Sequence, residues 1–310
     1  MMTRKLITIV VCLLLLTGCQ TAKKQPSKRS MYYWSTTFKL SPSQQHFLKT
    51  QHISRLYVRF FDVVTEPDGT LMPNATISFA SPFPEKVELI PTIFITNDCM
   101  KQPDNTDLAE KILRRTLQMC ETHDLPHPKE IQIDCDWTLS TRKRYYAFLA
   151  QLQQLARAKN ICLSTTIRLH QLTQPAPPAD KGVLMVYNTG DITRFDEAKP
   201  ILNADSVASY LSRRKPAYDL QLSAAYPIFS WRVLFRGTRY VGIMHSDDEL
   251  PVIAGDTIVT RQPTIDEILR AKDIVEHWKA SANNEVILFD LSSNNITKHN
   301  KSDYEKIFSH

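Results

Sequence analysis

The sequence predicts an α/β protein, a TIM-type (β/α)8 barrel of somewhat irregular build with a β-hairpin inserted after the seventh strand. Three observations carry this. Apolar runs of strand length recur eight times, at residues 32–38, 56–63, 89–96, 131–136, 161–169, 183–188, 219–225 and 286–290. Stretches of helical periodicity separate many of them, the pattern of parallel strands covered by helices. Residues 31–310 form one continuous stretch of this kind, a usual size for a single-domain barrel.

The chain opens with Arg4 and Lys5 and an apolar run over 6–16 that is too short for a comfortable membrane span, the pattern of an export signal. The run closes with Leu16-Thr17-Gly18-Cys19, which resembles the lipobox of bacterial lipoproteins. That resemblance implies removal of residues 1–18, a lipid on Cys19 that anchors the chain to a membrane, and a flexible tether completing residues 19–30. Gln20 stands where an aspartate typically retains such proteins at the inner membrane in some bacteria, so the expected location is the cell envelope, at the outer membrane. Loss of residues 1–18 removes two cations and no acids, and the net charge falls from +6 to 6 − 2 = +4. Apart from the tether and the triplet Arg142-Lys143-Arg144, which reads as a solvated helix face, the basic residues are scattered, and nucleic acid is not an expected partner.

The clearest helix follows the fourth strand. Tyr145, Phe148, Leu149, Leu152 and Leu155 fall at helical spacing, with Ser140 or Thr141 available as N-cap. A second starts at the capping box Thr264-x-x-Glu267 and continues through Ile268, Leu269, Val275 and Trp278. A third spans 108–120, with Leu108, Ile112, Leu113 and Leu117 inward. Two places depart from an ideal barrel. Residues 171–182 carry Pro175, Pro177 and Pro178 and leave little room for a crossover helix. Residues 232–235 and 239–244 alternate about Arg236-Gly237-Thr238 as a hairpin, read as an insertion at the barrel mouth.

Several chemistries lose their support. The seven glycines of the chain form neither a phosphate-binding loop nor a G-x-S-x-G elbow. Cys99, Cys120, Cys135 and Cys162, left after Cys12 and Cys19, match no zinc spacing and predict no obligatory disulfide. Asp134 and Asp136 with His170 could in principle form the metal site of a deacetylase, but no second histidine lies at ligand spacing, and neither metal nor cofactor is expected.

The segment Ile131-Gln132-Ile133-Asp134-Cys135-Asp136-Trp137 is the most informative. Alternation along a strand sets Gln132, Asp134 and Asp136 on one face and Ile131, Ile133, Cys135 and Trp137 on the other. Two shielded carboxylates so close disfavour double ionisation, so that one holds a proton while the other stays charged, as acid/base hydrolysis requires. The same alternation turns Tyr57, Arg59 and Phe61, and Thr166 and Arg168, toward the barrel axis, with His170 just beyond. In the functional reading, an arginine fixes the charge of one aspartate while Tyr187 and Tyr226 donate to substrate. In the plainer one, inward arginines and aspartates satisfy each other as buried charges must. Trp34 and Trp231, near strand ends, offer flat faces for sugar rings, whereas Trp137 reads as packing. Asp62, Asp98 and Asp290, at or past strand ends, are further acids that could complete a pair.

Ile131-x-Ile-Asp134-x-Asp136, Met185-Val-Tyr187-Asn188 and Ala225-Tyr-Pro227-Ile-Phe-Ser-Trp231 together resemble lipoproteins built on glycoside-hydrolase-like (β/α)8 barrels and, distantly, chitinase-type glycosidases. The resemblance implies that Asp134 and Asp136 match two acids of the chitinase strand, that Tyr187 matches its sixth-strand tyrosine, and that the place of its catalytic glutamate falls at Thr138. Threonine cannot protonate a leaving group. The resulting expectation is an envelope lipoprotein that hydrolyses a glycosidic bond with Asp136 as general acid and Asp134 as its charged partner. Trp34, Arg59, Arg168, His170, Tyr187, Tyr226 and Trp231 would hold an oligo- or polysaccharide. The alternatives are a non-catalytic glycan-binding or assembly lipoprotein, favoured by Thr138, and a purely structural envelope protein. Oligomeric state is not legible.

Overall fold

The computed structural model describes residues 27–102, 107–212, 218–244 and 249–309. The export signal, Cys19 and most of the tether lie outside the described residues. In chain order the strands are β1 (Lys28–Tyr33), β2 (Thr37–Phe38), β3 (Arg55–Thr65), β4 (Leu71–Asn74), β5 (Ser78–Phe79), β6 (Glu88–Ile95) and β7 (Glu130–Asp134). They continue with β8 (Cys162–Arg168), β9 (Lys181–Met185), β10 (Leu222–Pro227), β11 (Trp231–Arg236), β12 (Arg239–Met244), β13 (Asp256–Arg261) and β14 (Glu285–Phe289). The helices are α1 (Pro42–Thr50), α2 (Leu108–Thr122), α3 (Arg142–Arg157), α4 (Ala204–Ser212), α5 (Ile265–Trp278) and α6 (Lys301–Phe308).

Eight parallel strands close a ring in the order β1, β3, β6, β7, β8, β9, β10, β14, with β14 and β3 both pairing β1. The fold is therefore a TIM-type barrel, and each ring strand overlaps one of the eight apolar runs, β1 only through Tyr32 and Tyr33. β4 lies outside the ring, antiparallel to β3. β1 begins earlier than the sequence suggests, within the stretch read as tether. Arg29 pairs with Glu305 at 2.8 Å and Ser30 donates to Glu285 at 2.7 Å. Polar contacts recruit this half of the strand, a signal that hydropathy misses.

The helical cover is incomplete for two reasons. The proline-rich crossover between β8 and β9 holds only a 3-10 turn, Leu169–Thr173, as expected. Between β3 and β6 the chain forms β4 and β5 instead of a helix. Elsewhere amphipathic helices bury their apolar stripes on the ring: α3 lays down Tyr145, Phe148, Leu149 and Leu152. Thr141 sits at its N-cap position without capping it: its hydroxyl oxygen accepts from the Thr138 N–H at 2.9 Å and its proton goes to Asn97 at 2.6 Å. Thr264 caps α5 by accepting from the Glu267 N–H, but Glu267 does not close the box. Its carboxylate instead accepts from the Ala204 N–H at 2.7 Å, at the start of α4, and so ties two helices together.

Alternation on the ring produces two apolar layers. Leu56, Val58, Ile131, Ile133, Leu163 and Leu288 face the helices, whereas Tyr32, Tyr57, Ile90, Val183, Met185 and Ile287 fill the barrel. Below this inner plug, the first residues of four strands form a buried ionic network. Arg55 lies 2.6 Å from Glu130 and 2.7 Å from Glu285, and Lys181 lies 2.5 Å from Glu285. Ser30, Tyr57 and Ser223 also donate to Glu285. Burial alone would raise the Glu285 carboxyl, but Lys181 and Arg55 outweigh it and hold it down at about 2.

The insertion after β10 is larger than a hairpin. β11 and β12 pair about Gly237, whose φ of +61° suits the turn, and β13 adds a third strand on the other side of β11. Arg236 clamps it by donating to Asp256 at 2.9 and 3.0 Å.

Candidate functional site

Above the inner plug, where the strands end, the barrel opens into a cavity of about 660 Å³. Asp134, the last residue of β7, forms part of its floor. Thr166 donates to Asp134 Oδ1 at 2.6 Å, and the Arg168 guanidinium approaches the same oxygen at 3.2 Å. β7 and β8 are neighbours in the ring, and the inward positions of one therefore meet those of the other. The alternation argument places Asp134, Thr166 and Arg168 together correctly.

Burial pushes the Asp134 carboxyl above the usual carboxylate range; Arg168 and Thr166 pull against this, and Asp136 and Asp62 reinforce it. Asp136 is elsewhere. β7 ends at Asp134, strict alternation lapses, and the Asp136 side chain is 59% exposed outside the cavity, where Arg168 Nε reaches it at 2.5 Å. One guanidinium thus joins a cavity-lining acid to a rim acid. The environment that favours a protonated carboxyl belongs to Asp134, the reverse of the roles expected from sequence.

Aromatic rings make the walls. Trp34, Tyr187, Phe229, Trp231 and Phe289 line the cavity in a connected set, with ring centroids 5.1 Å apart for Phe229 and Trp231 and 5.5 Å for Trp34 and Phe289. The guanidinium of Arg59 lies over Trp34 at 5.5 Å and donates to Asp62 at 2.7 Å. Burial raises the Tyr187 hydroxyl, which stays a neutral donor. The insertion supplies Trp231, Arg232, Ile243 and Met244. It forms a side wall of the cavity.

Three expectations are corrected. Phe61 faces the helix layer, because a β-bulge between Arg59 and Phe61 shifts the parity of β3 and turns Asp62 toward Arg59. Tyr226 also faces outward: alternation in β10 gives Ala225 the inner position, and the Tyr226 hydroxyl donates to Asn283 at 2.8 Å beneath the helices. His170 is exposed on the turn that follows β8 and does not line the cavity. Among the described residues no group of three His, Cys, Asp or Glu is placed to hold a metal ion. Trp137 packs against Tyr145 and Tyr146, as its strand face suggested. Of the further acids, Asp98 is exposed and paired with Lys101, whereas Asp290 lines the cavity. Burial raises the Asp290 carboxyl against the pull of Asn295 and Ser292. Asn188, Phe229, Asn295 and Lys298 were missed. Asn188 and Phe229 stand beside residues that sequence did select, but nothing local marks the loop that carries Asn295 and Lys298.

No protein-family model matches the chain, and no curated protein matches it. Solved structures do. The spore cortex-lytic enzyme SleL of Bacillus cereus aligns with a TM-score of 0.57 at 13% identity, over 91% of this chain and 74% of that one. A chitinase from Chromobacterium violaceum aligns with a TM-score of 0.57 at 12% identity, over 91% and 98% of the two chains. The C-terminal domain of a putative chitinase from Desulfitobacterium hafniense gives 0.59 at 10% identity, over 92% and 98%. The chain therefore has a glycoside-hydrolase-like barrel fold shared with chitinases and cortex-lytic enzymes. At the position that the chitinase resemblance assigns to a glutamate, Thr138 bonds with its neighbours Ser140 and Thr141.

Proposed function

We propose that this protein is an oligosaccharide-binding lipoprotein of the bacterial cell envelope, held at the outer membrane by a lipid on Cys19. One observation carries the reading: an aromatic-walled cavity whose floor holds Asp134 and Arg168, at the barrel pole where such folds place their sites. Stacked rings suit the apolar faces of sugars, and the interspersed carboxyl, guanidinium and amide groups suit hydroxyls. A chitinase from Cycas revoluta with this fold, aligned with a TM-score of 0.53 at 11% identity over 91% of this chain and 98% of its own, is solved in complex with (GlcNAc)4.

Binding is favoured over cleavage because Thr138 supplies no proton and Asp136, the expected acid, stands outside the cavity in an ion pair. Hydrolysis is the second reading. It is favoured by Asp134 and Asp290, both cavity-lining carboxyls raised by burial, a state suited to general acids.

Calorimetry with (GlcNAc)4 and with peptide-free peptidoglycan strands tests both. Saturable binding is expected, weakened about tenfold in Trp231→Ala by loss of one stacking face. No binding of any glycan would overturn the proposal. New reducing ends that disappear in Asp134→Asn would replace it with the hydrolase. Cys19→Ala is expected to move the protein from the membrane to the soluble fraction.

A further inference from the structure

Three of the cations that line the cavity are held in two different conditions. Arg59 is matched by Asp62, and Arg168 by Asp134 and Asp136. Lys298, on the loop between β14 and α6, is held differently. Its ammonium donates to two neutral acceptors, Ser230 Oγ at 2.8 Å and Asn295 Oδ1 at 2.7 Å. The nearby acid Asp290 accepts hydrogen bonds from Asn295 and Ser292 instead, and its charge reaches Lys298 only as a longer-range attraction. An ammonium has three N–H groups, so two fixed acceptors leave the third for the cavity that Lys298 lines. Burial already lowers the Lys298 amine, and a half-buried cation gains most from an anion brought to it.

We propose that the saccharide bound here is acidic, with an anionic substituent on a sugar ring docked against the ammonium of Lys298 beside Ser230. This rests on the saccharide-binding reading and narrows it. The aromatic wall then fixes the ring, and Lys298 selects its charge. Ser230 precedes Trp231 in the chain, so the residue that helps orient the ammonium adjoins a stacking face.

The test compares three tetrasaccharides on the full protein by calorimetry: (GlcNAc)4, a hexuronate and an O-sulfated (GlcNAc)4. The acidic ligands are expected to bind about tenfold more tightly than the neutral one, with the advantage falling as salt rises. The better of the two identifies the substituent as carboxylate or sulfate. Lys298→Met should abolish the acidic-to-neutral ratio and Lys298→Arg should restore it, with circular dichroism confirming that both fold. Equal affinity for neutral and acidic ligands would overturn the inference and leave saccharide binding standing. A preference that persists in Lys298→Met would overturn the assignment to Lys298. Failure of all three ligands would overturn the binding proposal itself.

Discussion

The two poles of the barrel are built from the same residue types and end in opposite conditions. Where the strands start, Arg55 and Lys181 lie among Glu130 and Glu285, sealed beneath Tyr57 and saturated by hydroxyl donors. Where they end, Arg168 joins Asp134 to Asp136 beside open volume. Charge pairing alone therefore does not mark a site. At the first pole the cations overwhelm the cost of burial and hold Glu285 down; at the second, burial wins and Asp134 rises. A carboxyl left partly uncompensated beside a cavity is poised for a ligand, whereas a saturated one is a fastening.

The sharpest way to break this contrast is to remove a cation from the closed pole. Arg55→Met leaves Glu130 and Glu285 buried with one partner fewer and is expected to cost about 3–5 kcal/mol in urea denaturation. A loss under about 1 kcal/mol would show that the network is not a fastening.

The pH dependence should separate the poles by sign. Glu285, lowered from 4.5 to about 2, contributes stability that is present above its ordinary value and lost as pH falls toward 2, roughly 3 kcal/mol over the window. Asp134 is raised, so its contribution is complete below the ordinary carboxylate value and is lost as pH climbs through the raised one. At pH 7, Glu285→Gln should lower the Tm, and Asp134→Asn should leave it unchanged or raise it. Two decreases of similar size would mean that both acids are structural.

The smallest effect belongs to Asp136→Asn. Its exposed pairing with Arg168 is expected to be worth about 0–1 kcal/mol, with little change in glycan affinity. A loss of binding as large as that of Trp231→Ala would restore Asp136 to the site.

Much of this was legible because strands have period two. The run over 131–136 fixes which face Asp134 takes, and the run over 161–169 brings Thr166 and Arg168 to meet it. Failures came where the period breaks. A single extra residue at the β3 bulge misplaced Phe61, and the end of β7 at Asp134 misplaced Asp136. Tyr226 was misplaced because choosing a tyrosine at a strand end ignored that its neighbour Ala225 owned the inner face. The closed pole was illegible for another reason: Arg55, Glu130, Lys181 and Glu285 meet only when the ring closes, and no local pattern links them. β13 likewise reaches β11 across an intervening strand and loop.

The most direct measurement is a crystal structure of the protein with a bound oligosaccharide. A sugar ring is expected between the aromatic walls formed by Trp34 and Trp231, with a hydroxyl within hydrogen-bond reach of the Asp134 carboxyl. A sugar found only on the outer surface, with this cavity empty at saturating ligand, would contradict the assignment.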